Sequence, residues 1–295
     1  MRKRRVLVLG ASGMLGQEFT HALAHHERFT AIACDRRRAD VTNLAMLRRV
    51  MRATRPDVVI NCAAEIDVDW CEAHPLEAWR TNALGPGNAL RALADTGHTR
   101  SVFVQISTAY VFGNDKNAFA EDDLPHPVNV YGSSKLGGEA IAAAEANAAG
   151  IPYLIVRTAW LYSHFRKTFI DHLAGELLAG KTCVAFSDQF GLPVWTRDFV
   201  RGTIRLLHRR RVESGIYHAV SGSRRRVSRY DIARVVAGAL SCDRRLVRPG
   251  RKRTILRVPR PKSAFLINTR GLPMPGWQAS LRQYMRERYY PKRSS

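Results

Sequence analysis

In "VYGSSKLGGE", residues 130–139, Tyr131 and Lys135 stand four positions apart. On a helix that spacing puts a phenol and an ammonium on one face, one turn from each other. Such pairs are common on helix surfaces, so the pair alone assigns nothing. As chemistry it offers a proton donor and a neighbour that tunes it. A free tyrosine has a pKa of about 10, too high for ready proton exchange at neutral pH. A nearby ammonium favours the phenolate and lowers that value. Carbonyl reduction needs such a donor, because hydride arrives on carbon while a proton must arrive on oxygen. Thr108 in "ISTAYVFG" supplies a third group, a hydroxyl at the end of an apolar stretch that can polarise the carbonyl. Its bland alternative is a capping hydroxyl.

Hydride needs a donor, and the N-terminal stretch has the pattern of a dinucleotide site. "RRVLVLG" reads as a buried strand and runs into "GASGMLG", with Gly10, Gly13 and Gly16 ahead of helical spacing. Glycines at a strand-to-helix turn allow close approach of backbone to pyrophosphate, and the helix N-terminus offers N–H groups to it. The spacing is G-x-x-G-x-x-G, with Ser12 where the commoner dinucleotide pattern has a glycine. Asp35 ends the next apolar stretch, where an acid binds the adenosine ribose of NAD. Arg36, Arg37 and Arg38 follow at once, and arginine there suits the 2′-phosphate of NADP. NADPH is expected, with NADH also accepted.

The elements around these residues alternate. Apolar runs at 4–10, 29–35, 56–64, 101–108 and 152–160 read as strands. Helical spacing occupies 14–26, 41–54 (with Thr42 as cap), about 72–96, and 131–148. Strands that are apolar throughout and alternate with helices form a parallel sheet covered on both faces. The predicted fold is α/β: a Rossmann-type doubly wound parallel sheet with a smaller C-terminal α/β substrate lobe. Residues 1–160 form the dinucleotide-binding domain. Residues 161–295 are mainly the substrate lobe, with some segments returning to the sheet. In that half 168–180, 196–209, 229–240 and 277–289 look helical, and "SGIYHAV" looks like a short strand.

Composition narrows the setting. The chain has 295 residues, enough for one large α/β domain and a lobe. No apolar run reaches the roughly 18 residues of a membrane span. The start places basic residues ahead of an apolar run, as a secretion signal does. Cleavage there would destroy the glycine loop, so a cytoplasmic protein is expected. The five cysteines are scattered without C-x-x-C spacing, so neither a zinc site nor a disulfide framework is expected, and no metal is assigned. The net charge is +22; the 39 arginines are spread widely, with basic clusters at 36–38, 209–211, 224–226 and 248–253. Aromatics do not interleave with these runs, and no nucleic-acid module is visible. A basic surface is therefore expected rather than a nucleic-acid partner.

Taken together, these motifs resemble a known family. "GASGMLG", "RPDVVINCAAE", "STAYVF" and "VYGSSKLGGE" resemble an extended short-chain dehydrogenase/reductase. "VDWCEAHP", "RTAWLY", "DQFGLPVWTRDF", "GIYHAV" and "RPKSAFL" are similar, in that order, to the dTDP-4-dehydrorhamnose reductase family. The resemblance implies that Thr108, Tyr131 and Lys135 are catalytic, with Tyr131 as proton donor to a C4 carbonyl. It implies a cofactor site from Gly10, Gly13, Met14 and Leu15, Asp35 and Arg36, Asp40 and Val41, Ala63, Ala64 and Glu65, with Tyr131 and Lys135. On the substrate side it implies Thr108, Ala109, Trp160 stacking near the sugar, and Arg260 facing the diphosphate. The substrate implied is a nucleotide-linked 4-keto-6-deoxy sugar, and a homodimer is among the expected partners. The chain departs from the family pattern at Ala109, where an Asp is usual, and at Glu65, where His or Tyr is usual.

Two other readings share the fold. A nucleotide-sugar epimerase or dehydratase is one, but a dehydratase needs acid and base groups after the threonine, and Ala109 and Tyr110 stand there. A non-catalytic, NADP-binding regulatory subunit is the other, and the intact Thr108, Tyr131 and Lys135 argue against it.

Overall fold

The computed structural model describes residues 2–209, 212–221, 223, 225–251, 258–272 and 274–290. Arg210, Arg211, Arg224, Lys252 and Arg253, from the basic clusters, lie outside the described residues. The first half runs β1 (Arg4–Leu9), α1 (Met14–Ala24), β2 (Phe29–Cys34), α2 (Leu44–Thr54) and β3 (Val58–Asn61). It continues with α3 (Val68–Ala73), α4 (Pro75–Trp79), a π-helical turn (Arg80–Leu84), α5 (Gly85–Asp95), β4 (Val102–Thr108), α6 (Val130–Ala149) and β5 (Tyr153–Thr158). The second half carries β6 (Trp160–Tyr162), α7 (Phe169–Leu178), β7 (Cys183–Phe186), β8 (Phe190–Gly191), β9 (Pro193–Trp195) and α8 (Thr196–Leu207). It ends with β10 (Gly215–His218), α9 (Arg229–Ala239), β11 (Val247–Gly250), β12 (Ser263–Ala264) and α10 (Trp277–Tyr289).

Six strands form one parallel sheet in the order β10-β5-β4-β3-β1-β2. Side chains alternate across it. Val6 and Val8 of β1 enter one core with Phe19 of α1 and Phe199 of α8. Leu7 and Leu9 enter the other, with Leu47 and Met51 of α2 and Leu90 and Leu93 of α5. Burial on both faces is why these strands read as unbroken apolar runs. After β2 the chain crosses β1 to form β3, so the strand order reverses between β1 and β3. Open α/β sheets bind ligands outside the carboxyl ends of their strands at that switch point. The sixth strand, β10, comes from the C-terminal half and pairs with β5, so the "SGIYHAV" segment joins the large sheet.

Two local expectations are corrected. Asn43, not Thr42, caps α2: its side chain accepts from the Met46 N–H. The Thr42 hydroxyl instead donates to Asp40. The helix expected over 72–96 begins at Val68, behind the Asp67 cap, and is broken by Pro75 and the π-helical turn. Proline suits the first turn of a helix because it has no N–H to place.

Candidate active site

The glycine loop makes its turn by close contact. Gly10 has φ +71°, and a Cβ there would lie 2.7 Å from the Ala63 nitrogen. A Cβ on Gly16 would lie 2.2 Å from the Gly10 carbonyl oxygen. The loop therefore tolerates no side chain at either place. Gly13 is the N-cap of α1 and offers no side-chain cap, so the first N–H groups of that helix are left for a ligand. A groove runs across the switch point, lined by Gly10, Ser12 and Gly13 after β1, by Arg36, Asp40 and Val41 after β2, and by Cys62, Ala63, Ala64 and Glu65 after β3. Asn82 fixes the last of these segments: its side chain accepts from the Glu65 N–H at 2.9 Å and donates to the Glu65 carbonyl at 2.9 Å.

Of the sequence-predicted cofactor residues, Met14 and Leu15 begin α1, and Leu15 packs into the core. The Asp35 carboxylate accepts from the Arg38 N–H at 3.1 Å. Arg36 is 74% exposed and pairs with Asp40 at 3.1 Å. Arg36 is the cation that lines the groove at the ribose end, and its guanidinium is exposed but held by Asp40.

Thr108, Tyr131 and Lys135 converge. Thr108 ends β4 and accepts from the Tyr110 N–H at 3.2 Å. Tyr131 is the second residue of α6, whose cap Asn129 accepts from the Gly132 N–H at 2.8 Å. A Cβ on Gly132 would lie 2.1 Å from the Tyr110 carbonyl oxygen, so glycine lets α6 settle against the turn after β4. Thr108 then stands near enough to the Tyr131 phenol to favour its ionised form. Burial nevertheless pushes the Tyr131 phenol up to about 12, with the Thr108 hydroxyl acting the other way. Burial pushes Lys135 down to about 8, while the Glu139 carboxylate holds it up.

That differs from the expectation that Lys135 lowers the tyrosine. The ammonium donates to the Ile106 carbonyl at 2.7 Å, across to β4, and the enclosed phenol is left protonated.

Beneath Lys135 lies a feature the sequence did not disclose. Arg157 of β5 pairs with Glu139 at 2.6 Å, with both side chains buried. Ser107 Oγ donates to the same carboxylate at 2.5 Å.

A second cavity, of about 230 Å³, lies in the C-terminal lobe and is lined by Tyr110, Trp160, Phe186, Gln189, Arg229, Arg260, Pro261 and Ala264. The catalytic candidates stand between the two spaces. Lys135 lies beside Cys62 of the groove, whose thiol burial pushes up to about 12. Tyr131 meets Tyr110 of the cavity edge-on, with ring centroids 5.7 Å apart. Trp160 is in the cavity wall, and its Nε1 has no hydrogen-bond partner among the described residues. Arg260 is in the wall too, held by Asp69 through two contacts of 3.1 and 2.6 Å. Ala109 is buried in the turn after β4 and lines neither space.

Sequence reasoning missed Arg229. Its guanidinium lies 4.4 Å from the Trp160 ring centroid and 4.6 Å from that of Phe169. Its Nε is buried without a partner among the described residues. Only its place, one residue past the Ser228 cap of α9, could have marked it.

Comparison with known proteins follows the same lines. The family model described as "RmlD substrate binding domain" matches residues 4–290. The chain is 35% identical to a dTDP-4-dehydrorhamnose reductase of Mycolicibacterium smegmatis, over 94% of this chain and 84% of that protein. It is 34% identical to a dTDP-4-keto-6-deoxy-D-glucose reductase of Streptomyces niveus, over 83% of this chain and 82% of that protein. Among solved structures it is similar to a dTDP-4-dehydrorhamnose reductase of Bacillus anthracis in complex with NADP. There the TM-score is 0.88 at 28% identity, covering 97% of this chain and 100% of that one.

Proposed function

Because the chain belongs to the dTDP-4-dehydrorhamnose reductase family, within the extended short-chain dehydrogenases/reductases, we propose that it reduces a dTDP-linked 4-keto-6-deoxy sugar at C4 with NADPH. The observation that carries this is the Thr108–Tyr131–Lys135 cluster, standing between a phosphate-ready groove and an aromatic, arginine-lined cavity.

The groove fits NADP. Its glycine loop has no room for side chains, its first helix is uncapped, and Arg36 lines its outer part. Gly10, Gly13 and the first turn of α1 would hold the pyrophosphate, and Arg36 the 2′-phosphate. When bound, NADPH supplies the hydride.

The chain's own residues do the rest. Tyr131 holds its proton at Oη until a carbonyl oxygen arrives, because its pKa lies far above neutral. Thr108 Oγ1 lies by the same phenol and orients that oxygen. The ammonium of Lys135 stabilises the phenolate left after proton transfer, once it turns from the Ile106 carbonyl. Trp160 and Arg229 form one wall for the sugar and nucleotide, and Arg260 is the cation for the diphosphate. Residues 1–160 carry the cofactor and 161–295 mainly the substrate.

Among the described residues no helix is long and apolar enough to cross a membrane. A cytoplasmic location is supported by five free thiols. A homodimer is supported by the exposed side chains of Ile66, Leu76, Trp79 and Leu84, which sedimentation of the purified chain would test.

The experiment for the activity is NADPH consumption by the purified chain against a panel of nucleotide-linked 4-keto-6-deoxy sugars. Turnover of dTDP-linked members supports the reading, and inertness toward all of them removes it.

A further inference from the structure

A cavity of about 670 Å³ opens on the C-terminal lobe and shares no lining residue with the cofactor groove or the substrate cavity. Its wall holds five arginines: Arg225 and Arg226 from the loop before α9, Arg234 from α9, Arg244 from the turn after it, and Arg282 from α10. None of the five forms an ion pair with a described residue. The one carboxylate in the wall, Asp231, is committed to the cap of α9, where it accepts from the Ser228 N–H at 2.9 Å and hydroxyl at 2.6 Å.

Two of the guanidinium groups are held in place. Arg226 donates to Asn117 at 2.7 Å and lies 4.2 Å from the Phe190 ring centroid. Arg244 lies against Gly238, where a Cβ would come within 2.9 Å of its Nη2, so the glycine lets the guanidinium rest on α9. The helix α9 separates this cavity from the substrate cavity. It turns Arg229 toward the substrate side, and 231, 234, 235 and 238, one helical face, toward the other.

Five exposed like charges, brought together from four chain segments around one concavity, focus a positive potential there that draws anions. Arginine forks pair with phosphate oxygens two at a time. The convergence is concave. A single-stranded nucleic acid needs an extended basic track with open aromatic faces. The only aromatic residue in this wall, Trp277, is 5% exposed and offers no stacking platform. We propose that this cavity binds a small anion with contiguous phosphates, a nucleoside triphosphate or an inorganic tripolyphosphate, independently of the reductase site.

The test is calorimetric titration at about 0.15 M salt, with the chain first saturated with NADP⁺ and dTDP to block its other phosphate sites. Tripolyphosphate and ATP are titrated in parallel. The site predicts one ion bound per chain, and affinity at least tenfold weaker in the double variant Arg234→Gln/Arg282→Gln, with NADPH affinity unchanged. Equal binding of the two ligands means that the phosphate chain alone is read, and tighter ATP means that the nucleoside adds contacts; either supports the site. No binding to the wild-type chain at millimolar ligand overturns it, as does equal binding by the variant. Tighter binding of a single-stranded oligonucleotide, lost in the same variant, overturns the small-anion reading. Should the double variant fail to fold by circular dichroism, Arg282→Gln alone carries the comparison.

Discussion

Arg157 and Glu139 face each other across the sheet–helix interface behind Lys135, joined by three hydrogen bonds of 2.6 to 3.2 Å. Lys135 and Glu139 share one face of α6, so the buried carboxylate serves two cations. It neutralises Arg157 and holds the Lys135 ammonium up against burial. Glu139→Gln should therefore do two things. Leaving Arg157 buried and unpaired should cost about 3–5 kcal/mol in denaturant unfolding. Lys135 should also lose its proton at lower pH than in the wild type. An unfolding midpoint and an alkaline limb of the pH–rate profile both unchanged in the variant would contradict this.

The pH dependence of turnover follows from the two shifted groups. Tyr131, at about 12, keeps its proton across the working range and sets no alkaline limit there. Lys135, at about 8, does set one: it is charged below that pH and neutral above it. Reduction is expected to be flat near neutral pH, and kcat/KM to fall about tenfold per unit above about 8. Lys135→Arg keeps its charge at every working pH, so whatever activity it retains should lack that limb. A wild-type profile that stays flat well past this point would contradict a charged Lys135 as a requirement for turnover.

Cofactor choice rests on Arg36. Its guanidinium is exposed and pairs with Asp40, and a 2′-phosphate would have to displace that carboxylate. The net gain is therefore modest, roughly 1 kcal/mol, or about a fivefold rise in the NADPH Kd for Arg36→Ala. NADH affinity should stay the same. Fluorescence titration of both cofactors measures it, and equal effects on the two would exclude the phosphate contact.

Arg260 and Asp69 make a second prediction of displacement. Their two-point pair occupies the cavity wall where the diphosphate is proposed to bind. Arg260→Ala should weaken dTDP binding by at least tenfold, and Asp69→Asn should strengthen it by freeing the guanidinium. Titration of dTDP into the three proteins checks the order. If Asp69→Asn weakens binding as much as Arg260→Ala, the carboxylate is orienting the arginine rather than competing for it.

How much of this was legible in the sequence varied with the range of the interaction. Apolar runs gave the first five strands, because both faces of the sheet are covered. The four-residue spacing of Tyr131 and Lys135 placed them on one helix face, and the glycine loop marked the turn after β1. What failed was local competition: Thr42 and Asn43 are both good caps, and only the side-chain hydrogen bond to Met46 decides between them. What was invisible was long-range. Arg157 reaches Glu139 from a neighbouring strand, Arg260 reaches Asp69 across 191 positions, and Arg229 gains its place only when α9 packs beside Trp160. The direction of the Tyr131 shift was misread for a related reason. Spacing puts a cation near the phenol, but burial and the Ile106 carbonyl decide where that cation points.

Hydride transfer to a sugar carbonyl with Tyr131 as proton donor can be followed atom by atom. Its most direct measurement uses NADPH deuterated at the transferring position of nicotinamide C4, with a dTDP-4-keto-6-deoxy sugar, read by proton NMR of the product. Deuterium is expected at sugar C4, with turnover by Tyr131→Phe roughly 10²–10⁴-fold slower and its NADPH affinity unchanged. Deuterium elsewhere in the sugar, no label in the sugar while NADPH is consumed, or a Tyr131→Phe rate within about threefold of wild type would contradict it.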